Sequence, residues 1–184
     1  QLERAPDAIV LLVPPRSIPT VLAEAESAGV AFAVIPGAGE ADAGPFAHEL
    51  HAYLRAPERR IRVLGPNCMG IIGVPERLTL FIGSLDGSLR EGPCALISQS
   101  GAVVEAFATQ GPRLGFRLLL STGNEAHVTC EDAIEFLLDD ERTRCLLLSL
   151  EGVKEPARFL TLLGRAASAG VRVGIVRAGR SDRA

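Results

Sequence analysis

Short apolar runs rich in β-branched residues alternate along the chain with longer segments in which apolar positions recur at helical spacing. This alternation is typical of β-α-β units, in which parallel strands are covered by helices. It predicts the fold class α/β. In the first half we expect three strands, at 8–13, 30–35 and 61–64, and two helices, one after Ser17 ending at Gly29 and one at 46–55.

A second series of strands and helices begins at Cys94. The residues between the two series, Ile71-Ile72 and the polar stretch 84–92, predict a short hairpin or linker. In the second series we expect strands at 94–98, 116–120, 145–150 and 171–176, and helices near 102–110, 131–138 and 156–168. We therefore predict two domains, residues 1–84 and 92–184, the second a flavodoxin-like parallel sheet that binds ligands at the carboxyl ends of its strands.

Composition excludes several classes of protein. The 184 residues are 47% hydrophobic, enough to form a core, and 19 basic against 22 acidic residues leave no nucleic-acid-binding footprint. No stretch reaches the roughly 18 apolar residues of a membrane span, and the N-terminus has no signal-peptide pattern. We expect a cytoplasmic protein with no membrane partner. The only lysine, Lys154, disfavours P-loop or Schiff-base chemistry.

The cysteines and histidines do not form a metal-binding pattern. The four cysteines, Cys68, Cys94, Cys130 and Cys145, are spaced singly, and the three histidines are His48, His51 and His127. A zinc site needs about four ligands at defined spacing, which these residues lack. We predict reduced thiols, no metal site, surface positions for His48 and His51, and an exposed or hydrogen-bonding role for His127.

Two strand ends are candidates for chemistry. At Ser98-Gln-Ser-Gly-Ala102, small residues open a helix directly after a buried strand, and the N–H groups of a helix N-terminus favour an anion. An ordinary serine cap with a closely packed glycine explains the pattern equally well. Glu151 follows a central apolar strand, where active-site acids of this architecture lie, although it could also only cap the next helix. Gly37-Ala38-Gly39 is a weak dinucleotide signal, since Gly44 comes too late for the motif.

Five ordered motifs resemble those of one enzyme family. They are Leu64-Gly-Pro-Asn-Cys-Met-Gly70, Leu96-Ile-Ser-Gln-Ser-Gly-Ala102, Ser121-Thr-Gly-Asn-Glu-Ala126, Leu150-Glu-Gly-Val153 and Arg177-Ala-Gly-Arg-Ser181. In order and spacing they are similar to the nucleoside-diphosphate-forming acyl-CoA synthetases, relatives of the succinyl-CoA synthetase α subunit. The resemblance runs over nearly the whole chain.

The resemblance implies a Rossmann-like CoA-binding part followed by a flavodoxin-like ligase domain. Such enzymes interconvert acyl-CoA, phosphate and nucleoside diphosphate with acid, CoA and nucleoside triphosphate through a phosphohistidine. By resemblance, CoA would contact Val13, Pro14, Pro15, Pro36, Gly37, Ala38, Asn67, Cys68 and Met69. Ser100, Gly101 and Ala102 would bind phosphate, and Glu151 would orient the phosphohistidine.

Two family segments are missing from the sequence. A glycine-rich loop should precede Ala8, and a Ser-His-Thr-Gly segment should follow Arg180, so we expect the catalytic histidine and further pieces to lie outside this chain. ATP or ADP and Mg²⁺ would bind to an ATP-grasp domain or subunit, which is also absent. We expect an oligomer that includes that part, and a fragment that does not turn over by itself.

Two other functions compete with the acid-thiol ligase. A non-catalytic CoA-sensing regulatory module, as in ligase-like regions fused to protein acetyltransferases, would bind CoA without a downstream histidine. A flavin-binding domain is disfavoured because Tyr53 is the only tyrosine and there is no tryptophan to stack on the flavin ring. The acyl group and the choice between ADP and GDP stay open.

Overall fold

The computed structural model describes residues 4–39, 44–85 and 87–177 and confirms the α/β class. The strands are β1 (Ala8–Val10), β2 (Phe32–Val34), β3 (Arg62–Leu64), β4 (Gly70–Gly73), β5 (Leu78–Phe81), β6 (Arg90–Ser98), β7 (Gly115–Ser121), β8 (Cys145–Leu150) and β9 (Arg172–Arg177). The helices are α1 (Ile18–Ser27), α2 (Ala47–Leu54), α3 (Gly101–Ala108), α4 (Cys130–Leu138) and α5 (Pro156–Ser168). Most of the predicted motif 177–181 and part of the loop 36–44 lie outside the described residues.

The first sheet is small and wholly parallel. Its order is β1-β2-β3, with Val10 beside Val34 and Val34 beside Leu64. Each strand has three residues, shorter than the apolar runs predict, although the flanking Leu11, Ile35 and Ile61 are also buried. Helices α1 and α2 contribute fully buried leucines to its core: Leu22, Leu50 and Leu54.

The second sheet has six strands in the order β5-β4-β7-β6-β8-β9. Strands β6 to β9 are parallel, as predicted, but the hairpin β4–β5 joins them antiparallel, with Ile71 of β4 beside Leu120 of β7. The sheet is therefore mixed. An apolar pair such as Ile71-Ile72 indicates a strand. It does not reveal that this strand pairs with β7, which comes much later in the sequence. The domain bounds 1–84 and 92–184 stay a prediction. Because β3 belongs to the first sheet and β4 to the second, the sheets favour a division between these two strands.

Helices cover the second sheet from both faces. Val104 and Ala108 of α3 pack with Leu96 and Phe116 on one face. On the other face, α4 and α5 form a core cluster with β6 to β8, and this cluster also includes Val34, Leu64 and Cys68 of the first sheet and the turn after it. The two sheets thus share a core. No helix in the described ranges is both long and apolar enough to cross a membrane.

Candidate functional site

The carboxyl ends of strands from both sheets meet at one cleft of about 660 Å³. His51 of α2 and residues from the loops after five strands line it: Gly39 after β2, Asn67 after β3, Gln99 after β6, Gly123 and Asn124 after β7, and Glu151, Gly152, Val153 and Lys154 after β8. Ligands of open α/β sheets bind at this edge. The cleft, which we call the strand-end cleft, is therefore the candidate site.

Asn67 joins three of the loops that form the strand-end cleft. Its backbone N–H donates to the carbonyl oxygen of Gly37 at 2.8 Å, and its side-chain Nδ2 donates to Oδ1 of Asn124 at 3.1 Å. Its φ of 59° lies in the left-handed region, which asparagine adopts more readily than most residues. Asn67 therefore fixes the loop after β3 against the loops after β2 and β7.

Gly123 allows the two sheets to approach closely beside the cleft. Its φ is +62°, and a Cβ there would lie 2.4 Å from the carbonyl oxygens of Pro66 and Asn67. No side chain fits at that distance from rigid backbone. The loop after β7 can thus lie against the turn after β3 only because residue 123 is glycine.

Gln99 holds the loop that carries Glu151. Its Oε1 accepts the backbone N–H groups of Glu151 at 2.6 Å and Gly152 at 3.0 Å, and its Nε2 donates to the carbonyl oxygen of Gly152 at 2.8 Å. Glu151 itself is exposed at the edge of the cleft. The end of β6 thus positions the acid that follows β8.

A buried cluster of Glu125, Cys130 and Glu131 lies between the loop after β7 and the start of α4. Their ligand atoms lie within 4.8 Å of one another, a spacing that could hold a metal ion. Oε1 of Glu125 accepts from the Thr122 hydroxyl and the Cys130 N–H. Oε1 of Glu131 accepts from the Glu155 N–H and its Oε2 from the Cys130 thiol. The spacing of residues along the sequence did not reveal this group, and the expectation of no metal site stays a prediction.

The pKa values of the two acids in this cluster are shifted in opposite directions. Burial, together with the nearby charge of Glu131, raises the pKa of Glu125. Burial also disfavours the charge of Glu131, but hydrogen bonds from the Glu155 and Glu131 N–H groups and the Cys130 thiol outweigh it and lower the pKa of Glu131. Glu125 is therefore the acid that favours its neutral form.

The nine expected CoA contacts differ in their positions. Four of them line a second cleft of about 290 Å³ at the ends of β1 and β2: Val13, Pro15, Gly37 and Ala38. Asn67 lines the strand-end cleft, and Pro14 is exposed. Pro36, Cys68 and Met69 are at least partly buried. A role in CoA binding stays a prediction for all of them.

Cys68 and Met69 point into the protein, which the sequence pattern did not indicate. Burial raises the pKa of the Cys68 thiol to about 12, and the thiol donates to the carbonyl oxygen of Ile35. Met69 packs against the start of α3, where a Cβ on Gly101 would lie 2.3 Å from its Cγ. Neither Cys68 nor Met69 is among the residues that line the strand-end cleft.

Helix α3 begins at Gly101, as the anion-site prediction requires. Ser100 occupies the N-cap position without a side-chain cap hydrogen bond, and its N–H donates to the Ser98 hydroxyl at 3.0 Å. The N–H of Ser100 is thus already used, which leaves Gly101 and Ala102 as the donors of the predicted phosphate site. That site stays a prediction.

The histidines differ from one another in position. His48 is exposed, as expected, but His51 is half-buried and lines the strand-end cleft, which its place on a helix did not predict. His127 is half-buried, and its Nδ1 is buried with no hydrogen-bond partner in the described part of the chain. Burial and the charge of Arg62 lower the pKa of His127.

Family models match both halves of the chain. Residues 91–184 match the succinyl-CoA ligase like flavodoxin domain, and residues 1–74 match a CoA binding domain. The chain belongs to the succinyl-CoA ligase-like family. The resemblance to nucleoside-diphosphate-forming acyl-CoA synthetases is thereby confirmed.

Members of the succinyl-CoA ligase-like family with similar sequences and structures are CoA ligases. The acetate–CoA ligase (ADP-forming) I subunit alpha of Pyrococcus furiosus is 35% identical over 96% of this chain and 38% of its own length. The acetate–CoA ligase (ADP-forming) of Methanocaldococcus jannaschii is 37% identical over 84% of this chain and 22% of its own length. The chain therefore spans less than half of either relative.

A solved structure in the same family covers the whole chain. The dinucleotide forming acetyl-coenzyme A synthetase 1 of Ca. Korarchaeum cryptofilum, in complex with phosphate and ADP, has a TM-score of 0.84 and 30% identity. The match covers 100% of this chain and 40% of that one.

Proposed function

We propose that this chain is the CoA-binding and phosphate-handling part of a nucleoside-diphosphate-forming acyl-CoA synthetase, an acid-thiol ligase. The whole enzyme would interconvert acyl-CoA, phosphate and NDP with acid, CoA and NTP through a phosphohistidine outside this chain. The proposal rests on one arrangement. Strand ends from both sheets meet at one cleft, and Gln99 holds Glu151 at the edge of that cleft.

Coenzyme A would bind along the strand ends of the first sheet. The loop at 37–39 lies between the two clefts, since Gly37 and Ala38 line the smaller one and Gly39 lines the strand-end cleft. A long, flexible molecule such as CoA could therefore extend from the ends of β1 and β2 towards Asn67 and the second sheet. The thiol of CoA, or the thioester of an acyl-CoA, would then face the loops after β6 and β8.

Phosphate would bind at the start of α3. The N–H groups of Gly101 and Ala102 in the first turn, together with the helix dipole, favour an anion there by roughly 0.3–1 kcal/mol or more when partly buried. The side chain that precedes this turn, Gln99, holds the Glu151 loop. The end of β6 would thus position both the phosphate and the carboxylate of Glu151.

Glu151 would orient the phosphohistidine. A carboxylate that accepts a hydrogen bond from one imidazole nitrogen fixes the tautomer and leaves the other nitrogen free as nucleophile. It also stabilises the cation that forms during phosphoryl transfer. Glu151 can take this position because Gln99 fixes its backbone while its carboxylate stays exposed.

The nucleotide would bind outside this chain. An ATP-grasp domain or subunit would hold ATP or ADP and Mg²⁺, and this part of the enzyme would not turn over without it. The Pyrococcus furiosus relative is itself one subunit, alpha, which supports an assembly with a partner subunit.

Glu151→Gln in the intact protein tests this proposal. The amide cannot stabilise the imidazolium, so acid-labile labelling from radioactive ATP should fall by roughly 100-fold or more while CoA binding is kept. Glu141→Gln is the matched control, since Glu141 is also exposed but lies before the amino end of β8.

Undiminished labelling in Glu151→Gln would contradict the assigned role and leave Glu151 as a structural residue. Labelling absent even in the unsubstituted protein, with CoA binding intact, would favour the CoA-sensing regulatory module instead.

A further inference from the structure

Cys94 of β6 and Cys145 of β8 are direct neighbours in the second sheet. The two strands are parallel, and Cys94 pairs in register with Cys145. Residues paired in this way point to the same face of a sheet. The two thiols therefore lie side by side, although the residues are far apart in sequence.

The spacing of strands suits a covalent bond between them. Neighbouring strands lie about 4.8 Å apart, and disulfides join Cα atoms about 4.4–6.8 Å apart. The pairing of β6 with β7 is irregular on both sides of Cys94, where the register shifts. The irregularity lies on the β7 side, whereas β6 and β8 pair in regular register from Cys94 to Ser98, so the usual strand spacing applies to the cysteine pair.

The pair differs from the two other cysteines of the chain. Cys68 and Cys130 are buried, whereas Cys94 and Cys145 are both half-buried and accessible from one side of the sheet. Arg172, the residue of β9 that pairs with Cys145, is exposed. Burial and the adjacent Cys145 thiol raise the pKa of Cys94 to about 11.

We propose that Cys94 and Cys145 form a reversible disulfide modification site. One thiolate attacks a low-molecular-weight disulfide and releases one of its thiols, and the second cysteine then attacks the mixed disulfide and releases the other. The protein loses two protons and two electrons, and the small disulfide gains them as two thiols. The resulting bond ties β6 to β8 at the end of the sheet opposite the strand-end cleft.

Peptide mapping tests the proposal directly, because each cysteine lies in its own tryptic peptide: 63–77, 91–113, 118–142 and 145–154. The reduced chain is treated with oxidised glutathione at mildly alkaline pH, where more thiolate is available, then alkylated and digested. The expected product is a peptide 91–113 linked to 145–154, accompanied by a loss of two hydrogen atoms from the intact mass. Cys68 and Cys130 serve as internal controls and should be alkylated only after unfolding.

Thermal unfolding gives a second measurement that needs no variant. The bridge closes a long loop, so the oxidised chain should melt several degrees higher than the reduced chain, by about 5 °C or more, and reductant should reverse the shift. Cys145→Ala should abolish both the linked peptide and the shift. A stable mixed disulfide with glutathione, or links that include Cys68 or Cys130 as often as the predicted pair, would overturn the proposal.

Discussion

Glu125 is fully buried, and its Oε2 has no hydrogen-bond partner in the described part of the chain. The pKa of Glu125 is raised in the folded protein above its ordinary value of 4.5. The neutral acid therefore makes its full contribution to the free energy of unfolding below pH 4.5, and this contribution is lost as the pH rises towards the pKa of the folded state. Above that range the folded protein carries a buried charge with one unpaired oxygen.

Glu125→Gln should therefore stabilise the protein at neutral pH. The amide keeps the Oε1 acceptor for Thr122 and Cys130 and removes the charge, so the free energy of unfolding should rise by about 1 kcal/mol at neutral pH and change little below pH 4.5. Urea unfolding over a pH series measures this. Parallel pH profiles for the variant and the unsubstituted protein would show that Glu125 does not titrate as expected.

Gly123→Ala tests the close approach of the two sheets. The left-handed φ and the backbone oxygens 2.4 Å from the new Cβ should lower the free energy of unfolding by about 1–3 kcal/mol. Gly164→Ala is the matched control, since Gly164 lies within α5 with open space at its Cβ, and alanine there should stabilise by up to about 1 kcal/mol. Equal effects of the two substitutions on urea unfolding would argue against the constraint at Gly123.

At the scale of elements, the end of β6 positions the loop after β8. Gln99→Leu removes all three hydrogen bonds to Glu151 and Gly152, so amide hydrogen exchange at these two residues should accelerate by roughly tenfold or more. Gln110→Leu, at an exposed position after α3, should leave their exchange unchanged. Unchanged exchange in Gln99→Leu would mean that other contacts hold the loop.

Local patterns predict some of the elements closely. Strand β8 and helix α5 have the predicted bounds, because a bounded apolar run and a proline at the first helical position mark them clearly. For Ile71-Ile72 and the stretch 84–92 the sequence leaves a hairpin and a linker open. The structure has a hairpin, with its second strand at Leu78–Phe81, and its place in the second sheet is not visible in the sequence. That place depends on pairing between Ile71 and Leu120, which no local pattern records.

Only part of the candidate site could be predicted from the sequence. Glu151 is a candidate in the sequence because it follows a strand, and the structure places it at the cleft, while its role stays a prediction. His51 is expected at the surface but lines the cleft, and Gln99 and the buried Glu125 stand in the motifs without a predicted role. Their positions come from contacts between segments that are distant in sequence. Cys68 was expected at a CoA site through its motif, but packing turns its thiol into the core.

At the scale of the whole molecule, the two sheets share one core and one cleft, and the chain spans 38% of its Pyrococcus furiosus relative. Under the proposed function, the histidine and the nucleotide site would lie outside this chain. The contribution of this chain would be to bring CoA, phosphate and Glu151 to one place.

The most direct test of this account is ATP formation by the full-length protein, with any partner subunit, from acyl-CoA, phosphate and ADP. We expect ATP in amounts equal to the CoA released, dependent on phosphate, and strongly reduced in Glu151→Gln but not in Glu141→Gln. Binding of CoA without any formation of ATP from ADP, or of GTP from GDP, across a range of acyl-CoA substrates would contradict it.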